Sequence, residues 1–193
     1  MPTLVHPDPR PPFGAVRALR AVEASVALAL LCASLAFAGG ARAGGYVALD
    51  GSSVTLGRAA DEDLDLRGGR LRLGLRVSEA FDVELQAGAS GDAATGTHGR
   101  FDASWAGAYL KGYLPLGERS ALFALAGVAG VSLARSFGDV EITDELGGFS
   151  FGAGLETRLT DRLDLSADWM RYADGAEGLE RVDAVSLGLK LYF

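Results

Sequence analysis

A single cysteine, Cys32, and two histidines, His6 and His98, are all that the chain offers for thiol, imidazole or soft-metal chemistry. Cys32 falls in an amino-terminal stretch that reads as an export leader, so residues 44–193 keep one histidine and no cysteine. A disulfide framework, a thiol nucleophile and a thiolate metal site are thereby excluded, and one imidazole cannot make a zinc centre. Long apolar runs are missing too. Beyond the leader no stretch reaches the 18 or so apolar residues of a helical membrane span. That says nothing against strands, whose alternation dilutes the hydropathy signal. Basic residues are in the minority: 18 Lys and Arg stand against 25 Asp and Glu, and beyond residue 43 the counts are 14 and 23. An acidic balance argues against nucleic acid, whose binding is dominated by basic side chains facing phosphates.

The first 43 residues have the make-up of a signal peptide. Arg10, Arg17 and Arg20 precede an apolar run, Val26–Ala38, of 13 residues. That is too short to span a bilayer as a helix but right for the apolar region of a leader. Two A-x-A sites follow, Ala36-Phe37-Ala38 and Ala41-Arg42-Ala43. Cleavage after Ala43 is preferred, since Gly45-Tyr46 already begins a strand; Ala38 is the other candidate. Leu31 before Cys32 is not small, which argues against a lipoprotein. The remaining residues, 44–193, make one domain.

Period-two alternation then fills the chain. It is plainest at the end, where Val185, Leu187, Leu189, Leu191 and Phe193 alternate with Ala184, Ser186, Gly188, Lys190 and Tyr192. An apolar strand at a soluble edge invites aggregation, whereas a closed barrel has no edge. Eight such segments are predicted: Gly45–Leu56, Arg67–Val77, Phe81–Ala89, Arg100–Leu114, Ala121–Ala134, Gly148–Leu159, Leu163–Tyr172 and the terminal strand. The connections alternate. Short ones at residues 78–80, 115–119 and 160–162 separate long ones at 57–66, 90–99, 135–147 and 173–181. Four long and three short connections put both termini on the side of the short turns.

The faces decide what surrounds the barrel. In each strand a small or charged face opposes an apolar one, and the small or charged face is expected to turn inward. In the fifth strand this sets Ala124, Ala126, Gly130 and Ser132 inward, and Phe123, Leu125, Ala129, Val131 and Leu133 against them. The charges on inward phases are Arg70, Arg72, Arg76, Asp82, Glu84, Lys111, Glu156, Arg158, Asp164, Asp168 and Lys190. Facing lipid near the midplane, each Arg or Lys would cost roughly 2–4 kcal/mol; facing inward they pair as a lumen charge network. Lys190 needs a carboxylate from another strand, and Glu84, Glu156 and Asp168 are the candidates. Trp105, Tyr109, Tyr113, Trp169, Tyr172 and Tyr192 read as lumen fillers or members of interfacial girdles, with Trp169 near the outer rim.

With these features the chain resembles the eight-stranded outer membrane β-barrel family, similar to the transmembrane domain of outer membrane protein A and its small relatives. The resemblance covers about Gly45–Phe193. It is carried by Gly69-Arg-Leu-Arg-Leu-Gly-Leu-Arg-Val77, Leu110-Lys-Gly-Tyr-Leu-Pro-Leu-Gly117, Ala126-Gly-Val-Ala-Gly-Val131 and Ser186-Leu-Gly-Leu-Lys-Leu-Tyr-Phe193. It implies an all-β fold: an eight-stranded antiparallel transmembrane β-barrel in the cell outer membrane, both termini periplasmic. It also implies that the terminal aromatic strand, through Tyr192 and Phe193, is an assembly signal read by the outer membrane assembly machinery. Outer membrane lipids and lipopolysaccharide are the other expected partners, and no cofactor is expected. The peptidoglycan-anchoring role of longer relatives does not carry over.

Some barrels of this size modify lipid A, which calls for a nucleophile, a base and an orienting acid near the outer rim. His98 is followed by Gly99 and Arg100, not by the deacylase-type His-x-Ser, and reads as a solvated loop residue. Carboxylates at Asp61, Glu62, Asp63, Asp65, Asp139, Glu141, Asp144, Glu145, Asp174, Glu177 and Glu180 read as solvation of the loops. The expected function is therefore a non-enzymatic barrel with a charge-plugged lumen and a structural, envelope or surface-interaction role. The same strands also allow a small channel or ligand-passing barrel.

Overall fold

The computed structural model describes residues 44–57, 64–91, 100–137, 140–176 and 179–193. The expected leader, His98 and the acidic stretch Asp61–Asp63 lie outside the described residues. Eight strands follow one another: β1 Gly45–Gly57, β2 Leu64–Arg76, β3 Phe81–Gly91, β4 Arg100–Pro115, β5 Ser120–Phe137, β6 Val140–Arg158, β7 Leu163–Ala176 and β8 Leu179–Tyr192. Each pairs antiparallel with the next, and β8 pairs back onto β1 to close the barrel. Closure is carried to the last residue: Phe193 N donates to Gly45 O at 3.0 Å and Gly45 N to Phe193 O at 3.3 Å.

The three short turns are built locally. Ser78 Oγ accepts from the backbone N–H of Ala80 and Phe81, at 3.3 and 3.1 Å. Gly117 adopts φ 105° in the turn between Pro115 and Ser120, a conformation that suits glycine. Thr160 Oγ1 accepts from Arg162 N at 3.3 Å. These turns and the paired Gly45 and Phe193 form one rim, the turn end; the opposite rim is the loop end.

Strand boundaries toward the loop end exceed the sequence expectation. β6 begins at Val140 instead of Gly148, because residues 140–147 continue the pairing with β5 as far as Phe137↔Val140. β7 and β8 likewise run on to Ala176↔Leu179. The acidic, weakly alternating sequence there looks like loop, yet a hairpin arm beyond the bilayer needs no apolar face. The β6–β7 ladder is short, from Arg158↔Asp164 to Phe151↔Arg171. Above it Ser150 Oγ donates to Arg171 O at 2.7 Å, and the β5–β6 and β7–β8 hairpins then run separately.

Outside, the wall is apolar. Leu49, Leu110, Leu114, Val128, Phe149, Val185 and Leu187 are each more than half exposed, which suits lipid rather than water. Inside, the lumen of eight strands is only wide enough for side chains. Inward glycines make the remaining room. Gly74 lies directly under the Tyr46 ring, Gly88 under Trp105 and Gly154 under Phe123, each glycine in register with its aromatic partner on the neighbouring strand. A Cβ there would overlap the ring.

Gly74→Val should therefore destabilise the barrel by about 1–3 kcal/mol through overpacking. Gly148→Val, whose Cβ would meet nothing within 4 Å, should not. Urea titration of the refolded variants in detergent measures the difference, and equal midpoints would refute this account of the inward glycines.

Candidate functional site: the lumen charge network

Alternation brings one ionic network to the turn-end half of the lumen. At its centre Asp50 on β1 receives two arginines of β2. Arg72 grips it bidentately, Nε to Oδ2 at 2.8 Å and Nη2 to Oδ1 at 2.7 Å. Arg70 Nε donates to Asp50 Oδ2 at 2.8 Å and Nη2 to Asp168 Oδ2 on β7 at 2.5 Å. Arg70 Nη1 also donates to Tyr172 Oη at 3.1 Å and Gln86 Oε1 at 3.4 Å. On its other side Arg72 Nη1 stands 3.7 Å from Glu84 and 4.0 Å from Glu156.

Two lysines complete the network below. Lys111 on β4 donates to Glu156 on β6 and lies 3.5 Å from Glu84 on β3. Lys190 on β8 donates to the other oxygen of Glu156 at 2.7 Å and to Tyr113 Oη at 3.0 Å. Of its three candidate partners the structure selects Glu156. Tyr46 and Gln86 Nε2 donate to the two oxygens of Glu84, the latter at 2.7 Å. Ring faces take up what the carboxylates leave: Lys111 Nζ is 3.8 Å from the centre of the Phe123 ring, and Lys190 Nζ is 4.0 Å from that of Tyr46. Every strand thus contributes, β5 through Phe123.

At the turn end Tyr113 Oη donates to Asp82 at 2.5 Å, and Tyr192 Oη to Asp164 at 3.0 Å. Two expected members sit differently. Arg158 is exposed, and the Arg76 side chain is 48% exposed with Asp82 3.6 Å from its Nε. Each carries the inward phase but is the last residue of its strand, where the wall stops and water begins. Asp50 and Tyr46 join the network without a sequence signal, and Gln86 joins it from the inward phase of its strand. In Gly45–Gly57 small and polar residues fall on both phases, so alternation alone gave no reason to single out Asp50; its position opposite Arg70 in the β1–β2 register does.

The loop-end half of the lumen corrects the expectation more broadly. It is apolar, filled by Val54, Leu66, Trp105, Val131, Met170 and Val182 among others. On β5 it is the large set, Phe123, Leu125, Ala129, Val131 and Leu133, that is buried, while Ala124, Ala126 and Gly130 face outward. The register explains it. Leu125 pairs with Lys111, and paired residues point to the same side of a sheet. Lys111 must point inward, so Leu125 does. Alanine costs little in lipid, so residue size alone does not set the phase.

Among the described residues no group of three His, Cys, Asp or Glu side chains is placed to hold a metal ion. Phe193 is 55% exposed, with its ring against Gly45 at the closing seam.

The closed eight-stranded wall matches what comparison finds. The outer membrane protein beta-barrel domain model matches residues 24–193. The chain belongs to that family. It is an outer membrane β-barrel protein, and the cell outer membrane is its location. Among solved structures it is similar to Neisserial surface protein A, with 14% identity, a TM-score of 0.68, and 79% of this chain and 100% of that chain covered. It is also similar to Ail, the attachment invasion locus protein of Yersinia pestis, with 12% identity, a TM-score of 0.63 and the same coverage. The N-terminal β-barrel domain of Pseudomonas aeruginosa OprF aligns at 17% identity and a TM-score of 0.56, covering 77% of this chain and 97% of that one. At these identities the shared property is the fold. No curated protein matches the chain.

Glu156 is the carboxylate common to Lys111, Lys190 and Arg72. Removing one partner from a buried ionic cluster leaves uncompensated charge, at a cost of about 3–5 kcal/mol. Glu156→Gln should therefore lower urea stability by about that much. Lys190→Met should then cost clearly less in the Glu156→Gln background than in the wild type, because its partner is already gone. A double-mutant cycle giving additive costs would refute the pairing.

Proposed function

We propose that the protein is a non-enzymatic outer membrane barrel whose lumen is closed by paired charges and which works through its wall and surface, in a structural, envelope or surface-interaction role. The observation that carries this reading is the burial of paired charges across the lumen. Arg70, Arg72, Lys111 and Lys190 meet Asp50, Glu84, Glu156 and Asp168, and none of these side chains is more than 4% exposed. On this reading the packed layer blocks hydrated ions. The non-enzymatic part rests on the sequence, in which the one histidine after residue 43 lacks the deacylase pattern. A leader over residues 1–43, removed after Ala43 or Ala38, delivers the chain to export. The turn end then faces the periplasm, and the hairpin arms at the loop end meet the exterior. Ail is named for attachment and invasion, and a surface-interaction role is the corresponding possibility for these arms.

A gated pore is the second reading, and Arg72 favours it. Its buried Nη1 has no hydrogen-bond partner while Glu84 and Glu156 stand within reach, so the guanidinium has a second set of carboxylates to move to. Planar-bilayer recording of the refolded barrel separates the two. The sealed reading expects no steady conductance, and discrete open steps would replace it with the pore.

Phe193 should matter more for assembly than for final stability. Burying one large side chain is worth only about 1.5–3 kcal/mol, and this ring stays half in the open. Deleting Phe193 should sharply lower the amount of folded, heat-modifiable barrel in cells, while the purified variant still refolds in detergent. Unchanged cellular levels would remove the role of Tyr192 and Phe193 as an assembly signal.

A further inference from the structure

The lipid-facing wall is not uniform. On β8 and β2 it carries leucines at 187, 189, 191, 71, 73 and 75, whereas across β5, β6 and β7 alanines at 124, 153 and 167 interrupt the large residues. The result is a slanted apolar groove of about 810 Å³ on the outside of the barrel. Its floor is Ala124, Ala153 and Ala167, with Leu122 and Leu155 on the turn-end side and Trp169 toward the loop end. One outward position beyond Trp169 on the same strand stands Arg171. Its guanidinium lies 5.4 Å from the Trp169 ring centre and 6.0 Å from that of Phe151. Asp183 on β8 grips it at 2.8 and 3.1 Å, and Arg181 Nε lies 3.5 Å from the same carboxylate.

These outward arginines locate themselves in the membrane. A lipid-facing Arg costs roughly 2–4 kcal/mol at the midplane and about 0–1 near the interface, and aromatic side chains gather at that same depth. The row Phe151–Arg171–Asp183 therefore lies at headgroup level on the loop side. A guanidinium at that level suits phosphate, and Asp183 takes the Nε–Nη2 edge of Arg171 and fixes its orientation. Arg171 and Ala167 are four residues apart, roughly 13 Å along the strand, so an acyl chain descending from the headgroup level passes Trp169 and reaches the alanine floor.

We propose that the groove and the Arg171–Arg181 pair form one lipid seat that takes a lipopolysaccharide molecule. One acyl chain lies on Ala124, Ala153 and Ala167, and a lipid A phosphate is held by Arg171 and Arg181. Two guanidinia flank the single carboxylate of Asp183, which presets them and does not itself contact the phosphate. The choice of lipopolysaccharide rests on the functional reading above, in which the loop end faces the outer leaflet.

The test uses the refolded barrel of residues 44–193 in zwitterionic detergent, titrated with lipopolysaccharide and followed by intrinsic Trp fluorescence and by native mass spectrometry. The double variant Arg171→Gln/Arg181→Gln should weaken binding by about tenfold or more, the weight of one charge-assisted contact. Ala153→Leu/Ala167→Leu, which fills the groove and leaves the charges in place, should also weaken it. Dephosphorylated lipid A should bind the wild type and the arginine variant alike. Heat-modifiable migration verifies that each variant is folded. Equal affinity for the wild type and both double variants overturns the seat. So does equally tight binding of an anionic phospholipid, since the surface is then only a general anion attractor. Orientation is read separately by single cysteines in the cysteine-free barrel. Gly147→Cys on the β6 arm should be labelled by an impermeant maleimide on intact cells, and Glu118→Cys in a short turn should not. The reverse pattern places the loop end in the inner leaflet and rules out lipopolysaccharide as the occupant, whatever the detergent titration gives.

Discussion

An eight-stranded lumen holds side chains and little else, so every charge turned away from lipid has to find its counter-charge within it. That constraint organises the turn-end half of this barrel. Arg70 and Arg72 sit two residues apart on one strand and point the same way, so a single carboxylate, Asp50, is shared between them. Lys111 and Lys190 arrive from strands on opposite sides and share Glu156. Each cation reaches a carboxylate on another strand, which makes the network a set of struts across the lumen. Desolvation consumes most of what such pairs contribute, so their effect is less on net stability than on which strand stands opposite which. A register slip by one residue would turn these charges into lipid.

Above the struts the lumen changes character. Trp105 and Tyr172 pack with ring centres 5.4 Å apart among Val54, Leu66, Val131 and Met170. The barrel therefore has a globular-type core in one half and an ionic one in the other, within a single continuous wall. Neighbours that share the fold at 12–17% identity show how little of the residue identity the wall itself requires.

How far the sequence reveals this depends on which residues are read. Strand number, turn positions and closure are legible, because Leu71-Arg72-Leu73 and Leu189-Lys190-Leu191 admit only one strand phase in a bilayer. Arg70, Arg72, Glu84, Lys111, Glu156, Asp168 and Lys190 are legible on the same ground. The phase of β5 is not, because its alternation is between large and small apolar residues and both are at home in lipid; only the pairing of Leu125 with Lys111 settles it. Asp50 escapes because β1 mixes polar and small residues on both faces. Arg76 and Arg158 have the right phase and the wrong height, and alternation carries no information about where a wall ends. The long arms of β6, β7 and β8 escape because acidic stretches resemble loops when no bilayer asks them for an apolar face.

The unequal ladders have a mechanical meaning. β5 and β6 share 18 register pairs, while β6 and β7 share eight, capped by one side-chain hydrogen bond from Ser150. A ring of welds is as strong as its shortest one. Local opening of this wall is therefore expected to start between the β5–β6 and β7–β8 hairpins, each of which keeps its own ladder. The gap first uncovers Met170 and the apolar half of the interior, and it reaches the ionic struts last.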